Sequence, residues 1–298
     1  MGELPRVGYL GPEGTFTEEA LLSSAVEGAV EPVAQTSIYD TVMALRRGEV
    51  RWAIVPIENS LEGSINVTLD LLAGEASDVE IVGEALLRIS HALIAPEDAP
   101  LEEIDTVITH PQVPGQCTRF LREELAGARA LAASSTAEAV RTVLVEGRRG
   151  QAAIGTELAA RIYGGTIVRA HIEDREDNET RFVWLANATP GSGSATLERP
   201  PLRDADIGEW KTSLVFWGAG AERPGWLVRC LDGLARREIN LTKIESRPRR
   251  EGLGSYMFFA DLARRADDPQ VAEALAEIRG VCQQVLVLGS YAAARRPA

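Results

Sequence analysis

Lysine is almost missing from this 298-residue chain, which has only Lys211 and Lys243. The first two hundred residues therefore cannot supply the lysine of a Schiff base or of a P-loop, which excludes PLP enzymes and P-loop NTPases for that part of the chain. Histidine and cysteine are scarce too, with three of each. The histidines lie far apart in sequence, and the cysteines form no Cys-x-x-Cys pair. We therefore expect no metal site and no disulfide framework.

Long apolar runs are also missing, since no stretch approaches the roughly 18 apolar residues of a membrane span. The first residues have no basic-then-apolar signal pattern, so we expect a cytoplasmic protein. The 44 acidic residues outnumber the 31 basic ones and give a net charge of −13. Such a charge disfavours nucleic acid and anionic membranes as partners. A small anionic substrate is not excluded, because one helix N-terminus and one arginine can dominate the local charge.

The pattern of elements divides the chain into three parts. Strands alternate with helical patterns over residues 1–188, which predicts an α/β domain with a largely parallel sheet. Residues 189–209 are rich in proline, glycine and serine, a composition typical of a linker. The order of elements over residues 210–298 is β-α-β-β-α-β, that of a ferredoxin-like module. Such a small module has a small core and two open sheet edges, so we expect it to form a dimer.

Polar residues cluster where predicted strands end and helices begin. In an open α/β sheet, ligands bind outside the carboxyl ends of the strands, where helix N-termini present free N–H groups to anions. Each cluster also has a structural alternative: Thr15 and Ser135 fit helix caps, Arg175–Arg181 fits a solvated loop, and His91 fits a buried core histidine. The candidate site residues in these clusters are Thr15, Glu58, Asn59, Ser60, Ser90, Gln112, Thr180 and Arg181.

Several segments together resemble one enzyme family. These segments are Gly11–Phe16 (GPEGTF), Pro56–Ile65 (PIENSLEGSI), Ser90–Leu93 (SHAL), His110–Cys117 (HPQ…QC), Ser134–Val140 (SSTAEAV), Ala152–Gly155 (AAIG) and Asp177–Phe182 (DNETRF). They look like the motifs of prephenate dehydratase. Pro224–Leu227 (PGWL) and Asn240–Pro248 (NLTKIESRP) stand where this family carries the phenylalanine-sensing motifs of its ACT regulatory domain. The resemblance covers nearly the whole chain.

The resemblance implies a catalytic domain of two α/β lobes around a cleft, similar to periplasmic binding proteins, with the second lobe at about 79–175. It implies conversion of prephenate to phenylpyruvate in phenylalanine biosynthesis, with loss of water and carbon dioxide and without a metal or other cofactor. Under this hypothesis Thr180 donates a hydrogen bond, or relays a proton, to the departing ring hydroxyl, and Arg181 either offers its charge to a substrate carboxylate or anchors the loop. The remaining residues are neutral donors, apart from Glu58, which shapes the loop or holds the cleft closed; the donors are Thr15, Asn59, Ser60, Ser90 and Gln112.

The same resemblance implies that phenylalanine binds at the interface between paired ACT domains, in a homodimer or homotetramer. The residues expected at that site are Gly225, Trp226, Leu227, Asn240, Leu241, Glu245, Ser246, Arg247 and Pro248. Two departures from the family pattern stand out: Val113-Pro114-Gly115 precede Gln116 where the family often has Ala-Leu-Ala, and Trp226 replaces an alanine. Two other functions fit the sequence, namely arogenate dehydratase, which uses the aminated substrate, and a non-catalytic amino-acid sensor.

Overall fold

The computed structural model describes residues 3–188, 198–203, 207–218, 220, 223–252 and 254–295. Most of the predicted linker, 189–209, lies outside the described residues. Its residues 198–203 pack against the N-terminal part of the chain. Leu202 forms a β-bridge with Ala25, and the indole N–H of Trp52 donates to the carbonyl oxygen of Glu198 at 3.1 Å. None of the helices in the described ranges is long and apolar enough to cross a membrane.

The first lobe is a mixed sheet covered by helices. Its elements are β1 (Arg6–Leu10), α1 (Phe16–Ser24), β2 (Glu31–Gln35), α2 (Ile38–Arg46), β3 (Trp52–Asn59), β4 (Gly63–Ser64), α3 (Asn66–Ala73), β5 (Val79–Arg88) and, much later in the chain, β11 (Glu179–Asn187). The strand order is β2-β1-β3-β11-β5, with β4 paired to β3. β1 lies parallel to β2 and β3, whereas β11 runs antiparallel to both of its neighbours.

The second lobe is a second mixed sheet, inserted between β5 and β11. Its elements are β6 (Ala92–Ala95), β7 (Thr106–Thr109), α4 (Val113–Gln116), α5 (Thr118–Glu124), β8 (Arg129–Ala132), α6 (Thr136–Glu146), β9 (Gln151–Gly155), α7 (Glu157–Tyr163) and β10 (Thr166–Arg169), with a short 3-10 turn at Leu101–Glu103. The strand order is β10-β6-β9-β7-β8. β7 is parallel to β8 and β9, while β6 is antiparallel to β9 and β10. The predicted α/β architecture is confirmed, but the largely parallel sheet is wrong for both lobes.

Helix starts in both lobes follow local sequence rules. The Oγ atoms of Thr15, Ser37 and Ser135 each accept a hydrogen bond from the backbone N–H three residues later, as the capping spacing predicts. Each capped helix follows the carboxyl end of a strand, because α1 follows β1, α2 follows β2 and α6 follows β8. The N-termini of these helices are therefore fixed at the ends of the sheets, where α/β proteins bind ligands.

Two crossings of the chain join the lobes. The long apolar segment 79–95 splits at Ile89–His91 into β5, which belongs to the first sheet, and β6, which belongs to the second. The expected start of the second lobe at about 79 is therefore too early. The chain returns through residues 170–178, and the N–H of Ile89 donates to the carbonyl oxygen of Asn178 at 2.8 Å. The two crossings thus touch each other beside the cleft.

The C-terminal domain has the predicted βαββαβ order. Its elements are β12 (Ile207–Trp217), α8 (Trp226–Ala235), β13 (Leu241–Pro248), β14 (Tyr256–Leu262), α9 (Pro269–Val281) and β15 (Gln284–Ala294). The sheet order is β13-β14-β12-β15, and all neighbours are antiparallel. One sheet face packs under α8 and α9, and the other packs against the first lobe, where Phe259 and Tyr291 share a core with Ile81. A Cβ at Gly289 would collide with the carbonyl oxygen of Ile81, so glycine allows this close approach.

Candidate active site

A cavity of about 340 Å³ lies between the two lobes. Both lobes and the crossing between them contribute polar residues to its wall. These are Thr15, Thr17, Asn59, Glu62, His91, His110, Gln112, Gln116, Ser134, Ser135, Thr136 and Thr180. Among the described residues, no lysine or arginine lines the cavity. An anionic ligand would therefore have to be held there without a lysine or arginine side chain.

Thr180 presents its hydroxyl to this cavity from the start of β11. The register of β11 places it opposite Asn59 of β3. The Oδ1 atom of Asn59 accepts from the backbone N–H groups of Leu61 and Glu62 at 2.9 and 3.0 Å, which fixes the orientation of the amide. Its Nδ2 atom therefore donates to the Thr180 Oγ1 atom, at 2.9 Å. The Thr180 oxygen therefore accepts a hydrogen bond, and among the described residues no group accepts the hydrogen of this hydroxyl. This hydrogen is available to a ligand.

Gln116 links groups from both lobes. Its Nε2 atom donates to the Glu62 carboxylate at 2.8 Å, and its Oε1 atom accepts from the Nδ2 atom of Asn178 at 3.2 Å. The Oδ1 atom of Asn178 in turn accepts from Asn59 at 2.8 Å. A continuous chain of hydrogen bonds thus runs from Glu62 through Gln116, Asn178 and Asn59 to Thr180, and it fixes the direction of each amide.

His91 is both buried and part of the cavity wall, with only 2% of its surface exposed. Its Nε2 atom lies 2.9 Å from the Oε1 atom of Gln116, which can only accept, so Nε2 carries the hydrogen. The Nδ1 atom is then an acceptor without a hydrogen-bond partner among the described residues. Burial lowers the pKa of His91, although the bond to Gln116 and the charge of Glu173 oppose this effect. The imidazole is therefore neutral, and it packs edge-on against Phe16 at a centroid distance of 5.4 Å.

Three helices begin at the cavity wall. Phe16 and Thr17 open α1, Ile38 opens α2 and Thr136 opens α6, and all four residues line the cavity. The first N–H groups of a helix lack partners within the helix, and the helix dipole places roughly half a positive charge there. These termini contribute partial positive charge to the wall, although the first turns of α1, α2 and α6 also hold the carboxylates of Glu18, Asp40 and Glu138.

Four of the eight predicted site residues lie on the cavity wall: Thr15, Asn59, Gln112 and Thr180. Three of these four have side chains that are already bound within the protein, and Asn59, which donates to Asn178 and Thr180, is the first of them. The Thr15 hydroxyl donates to the carbonyl oxygen of Leu10 at 2.8 Å and caps α1, so its hydrogen is not available to a ligand. The amide of Gln112 donates to the Glu62 carboxylate, which closes a contact between the lobes.

Ser60 and Ser90 bind the returning crossing and do not line the cavity. The Oγ atom of Ser60 accepts from the N–H of Glu179 at 2.9 Å and donates to the carbonyl oxygen of Asp177 at 3.2 Å. The Oγ atom of Ser90 lies 2.8 Å from the Nδ1 atom of His171. The expectation that both serines donate to a ligand is therefore corrected, because Ser60 ties the β3–β4 turn to the returning crossing and Ser90 ties one crossing to the other.

Arg181 points away from the cavity, because alternate residues of a strand face opposite sides of the sheet. Its neighbour Thr180 takes the cavity side. The Arg181 guanidinium contacts the carboxylates of Glu84 and Asp261 at 2.7 and 2.6 Å, and its side chain is 9% exposed. The expectation that Arg181 meets a substrate carboxylate is therefore corrected, since its charge is balanced between the first lobe and the C-terminal domain.

Glu58 is displaced from the cavity for the same reason, since it precedes Asn59 on β3. Its carboxylate lies 3.1 Å from the Nζ atom of Lys243 and 3.4 Å from the guanidinium of Arg181. It therefore joins the contact between the first lobe and the C-terminal domain. This position does not support the expectation that Glu58 holds the cleft closed, and the alternative that it shapes the loop stays a prediction.

The predicted effector residues of the C-terminal domain do not converge within one chain. Trp226 is 3% exposed and packs in the domain core against Phe216 and Phe258, at centroid distances of 6.2 and 5.8 Å. Leu227 and Leu241 pack at the edge of the same core. Trp226 therefore fills the interior of the domain and is not available to line a surface.

Apart from Gly225, the remaining effector residues lie on or next to β13, and they differ in what they face. Glu245 and Arg247 face the first lobe, where the Ser64 hydroxyl donates to Glu245 and Arg247 binds Asp70 at 2.8 Å. The others are solvent-exposed: Gly225, Asn240, Ser246 and Pro248.

Four residues of the hydrogen-bonded site escaped the sequence prediction: Glu62, His91, Gln116 and Asn178. Gln116 carried a usable signal, because it follows Gln112 by four residues, a spacing that places both side chains on one side of a helix. The other three became recognisable only when the two lobes were seen together.

The fold and the cavity define a two-lobed α/β protein with a ligand cleft between its lobes and a ferredoxin-like domain packed on the first lobe. The family model of prephenate dehydratase matches residues 7–190, and the model of the ACT domain matches residues 220–280. The prephenate dehydratase of Amycolatopsis methanolica is 38% identical over 293 residues, covering 98% of this chain and 90% of that relative. This chain belongs to the prephenate dehydratase family and carries an ACT domain.

Two solved structures resemble the whole chain. The prephenate dehydratase of Arthrobacter aurescens, solved in complex with L-Phe, has a TM-score of 0.82 and 35% identity, covering 98% of this chain and 92% of that chain. A protein described as a novel type of quorum quenching acylase has a TM-score of 0.80 and 26% identity, covering 97% and 98%. Because these two names describe different activities on one fold, the reaction of this chain has to be argued from its site.

Proposed function

We propose that this chain converts prephenate to phenylpyruvate, with loss of water and carbon dioxide, as a step in phenylalanine biosynthesis. Membership of the family supports this proposal, and so does the chemistry of the cavity. The observation that carries it is the 2.9 Å bond from Asn59 to Thr180, which leaves the Thr180 hydrogen free to meet a departing hydroxyl group.

Two single bonds of the substrate break in this reaction. The bond from the ring to its carboxylate breaks, and its electron pair enters the ring as carbon dioxide leaves. The bond from the ring to the hydroxyl oxygen also breaks, and the oxygen leaves with its electrons as hydroxide, which takes up a proton to form water. Thr180 donates a hydrogen bond to this oxygen as its negative charge grows. A threonine hydroxyl is a weak acid, so we assign it charge stabilisation and not full proton transfer.

We assign the two substrate carboxylates to the N-termini of α1 and α6, one on each lobe. A charge near a helix N-terminus is stabilised by about 0.3–1 kcal/mol, and by up to about 2 kcal/mol where it is partly buried. Neutral groups suit the ring carboxylate, because this group loses its charge as carbon dioxide forms. An arginine there would stabilise the substrate more than the transition state and would slow the reaction.

The direct test is an ultraviolet assay of phenylpyruvate formation by the purified chain, with chromatographic detection of phenylalanine when arogenate is the substrate. We expect prephenate to be turned over with the higher kcat/KM. A preference for arogenate would reassign the substrate while keeping the chemistry. Absence of turnover with both substrates, together with phenylalanine binding, would identify a sensor and contradict the proposal. Thr180→Val is the control that excludes a contaminating enzyme.

We further propose that phenylalanine binds to the ACT domain and lowers activity. The relative from Arthrobacter aurescens, solved with L-Phe, supports this part of the proposal. The exposed Gly225, Asn240 and Ser246 are free to face a second ACT domain. Calorimetry is expected to detect phenylalanine binding, and a flat titration at millimolar concentration would contradict it.

We also propose a homodimer or homotetramer formed through the ACT domain, in the cytoplasm. β13 is an edge strand, and it exposes Ile244 at 47%, while Val228 of α8 is 70% exposed. An unpaired edge with apolar side chains beside it favours association with a second copy. Sedimentation should give twice or four times the chain mass, and Ile244→Asp should reduce it. A monomeric wild-type chain would contradict this assembly, and recovery outside the cytoplasmic fraction would contradict the location.

A further inference from the structure

We propose that Arg181 is a positioning residue that couples Thr180 to the regulatory domain. This inference rests on the proposed function. Thr180 and Arg181 are consecutive residues of β11, and they face opposite sides of the sheet. The threonine faces the cavity, and the arginine faces the contact between the first lobe and the ACT domain. A displacement of the arginine backbone therefore moves the threonine as well.

The guanidinium of Arg181 takes its partners from both domains. Its Nε atom lies 2.7 Å from the carboxylate of Glu84, on β5 of the first lobe. Its Nη1 atom lies 2.6 Å from the carboxylate of Asp261, on β14, and its Nη2 atom donates to the Tyr291 hydroxyl, on β15, at 2.6 Å. The side chains of Glu84 and Asp261 are 1% and 8% exposed. These contacts are therefore largely shielded from water, where the loss of a partner is costly.

On the ACT-domain side, the carboxylate that pairs with Arg181 is that of Asp261. Burial would raise the pKa of Asp261, but Arg181, the Ser213 hydroxyl and Lys211 outweigh burial and hold it below its usual value, so the group is ionised. Burial raises the pKa of Tyr291, so the phenol is neutral and cannot take the place of the carboxylate. The Ser213 hydroxyl donates to Asp261 at 2.5 Å and fixes its orientation.

On the first-lobe side, the negative charge near Arg181 comes from Glu84 and Glu58. The ammonium of Lys211, on β12 of the ACT domain, lies 2.9 Å from both oxygens of Glu84, so Glu84 must balance Lys211 as well as Arg181. Glu58 lies 3.4 Å from the Arg181 guanidinium. Removing Asp261 therefore lowers the negative charge around the buried guanidinium by one. A rearrangement that separates the ACT domain from the first lobe withdraws Asp261 from Arg181 and Lys211 from Glu84.

This geometry gives a route from the effector to the reaction. If phenylalanine favours a second position of the ACT domain, Asp261 and Tyr291 move relative to the first lobe. Arg181 follows them, because the loss of two buried hydrogen-bond partners is unfavourable, and the Thr180 hydroxyl leaves its place beside Asn59. The effector can thus lower kcat without reaching the cavity, by no more than its difference in affinity for the two positions.

Two substitutions in the ACT domain test this coupling on the full chain. Asp261→Asn keeps the shape and removes the charge, and Tyr291→Phe keeps the ring and removes one hydrogen bond. We expect kcat to fall about tenfold in Asp261→Asn and about threefold in Tyr291→Phe, with KM nearly unchanged. The inhibition factor, which is kcat/KM without phenylalanine divided by its value at saturation, should shrink by similar amounts, while calorimetry still detects phenylalanine binding. Tyr291→Phe keeps the test valid if Asp261→Asn does not fold.

The matched control is Glu277→Gln, which removes a carboxylate that binds Arg236 and Arg237 within the same domain. It should leave kcat and the inhibition factor unchanged. Asp261 and Tyr291 variants that keep wild-type kcat and inhibition per folded molecule would show a purely structural role and overturn the coupling. A wild-type chain that turns over prephenate but is not inhibited by phenylalanine would also overturn it. Absence of turnover would instead defeat the proposed function.

Discussion

The two faces of β11 are built from opposite kinds of chemistry. On the cavity side, Thr180 lies among amides, hydroxyls and helix N-termini, and no lysine or arginine of the described residues lines the wall. On the other side, Arg181 lies among buried carboxylates and a buried phenol. Neutral groups can stabilise a substrate whose charge moves during the reaction, whereas paired buried charges fix the contact between two domains. One strand thus carries Thr180, which faces the cavity, and Arg181, which joins the strand to the ACT domain. Mutations can separate these two roles.

The largest expected effect is on the cavity side, where Thr180→Val removes the hydroxyl and keeps the volume. We expect kcat to fall about 10³-fold, because one donor to a growing negative charge is worth roughly 10²–10³-fold in mutagenesis. The free energy of unfolding should change by less than about 1 kcal/mol. Steady-state kinetics and urea denaturation measure the two quantities, and Thr180→Ser should recover part of the rate. A near-normal kcat would remove Thr180 from the mechanism.

The next effect is on the opposite face, where Arg181→Met leaves Glu84 and Asp261 buried with too little positive charge. We expect the free energy of unfolding to fall by about 3 kcal/mol or more. Arg175→Met is the control, because its exposed pair with Asp177 contributes less than about 1 kcal/mol. Equal losses in the two variants, measured by urea denaturation, would mean that the buried network does not stabilise the domain contact.

A smaller effect is expected for Asn59→Asp, which reverses one hydrogen bond with almost no change of shape. A carboxylate accepts and does not donate, so the Thr180 hydroxyl would turn its hydrogen towards it and away from the substrate. We expect kcat to fall about 10²-fold. Asn187→Asp is the matched control, since Asn187 bonds the carbonyl oxygen of Leu45 outside the cavity. A similar kcat for the wild type and Asn59→Asp would contradict the assigned bond direction.

The smallest effect concerns His91. Burial lowers its pKa from the usual 6.5, so the folded chain binds this proton less readily than the unfolded chain. The stability that depends on neutral His91 is therefore complete above pH 6.5 and is lost as the pH falls through the lowered pKa. The wild type should lose more unfolding free energy than His91→Gln between pH 7 and 5, by at most about 1.4 kcal/mol per pH unit. Parallel pH profiles of the two proteins would contradict a buried neutral imidazole.

Sequence reasoning succeeded where local rules decide the structure. Side-chain caps at Thr15, Ser37 and Ser135 follow from spacing, and the βαββαβ order of the C-terminal domain follows from the succession of apolar runs. The edge strands β2 and β8 are short and partly or fully exposed, and they carry little pattern of their own. They form because they pair with β1 and β7. A short stretch of sequence does not contain the information on this pairing.

The cavity itself was only partly predictable for a similar reason. Neighbouring residues of one motif were predicted to share one site, but the side chains of Thr180 and Arg181 face opposite sides of the sheet because they alternate along a strand. The same division separates Asn59 from Glu58 on β3, and His91 lines the cavity while its neighbour Ser90 does not. If one residue of each pair were known from experiment to face the cavity, its neighbour could be assigned to the other side. The assignments of Glu58, Ser90 and Arg181 would then have been corrected.

A double-mutant cycle on kcat tests most directly whether Asn59 acts through the hydroxyl of Thr180. The wild type, Asn59→Asp, Thr180→Val and the double variant would be compared under saturating prephenate. If Asn59 serves to free the Thr180 hydrogen, the double variant should be about as slow as Thr180→Val alone, because nothing remains for Asn59 to orient. A double variant slower by the full product of the two single losses would show that the two residues act independently and would contradict the account.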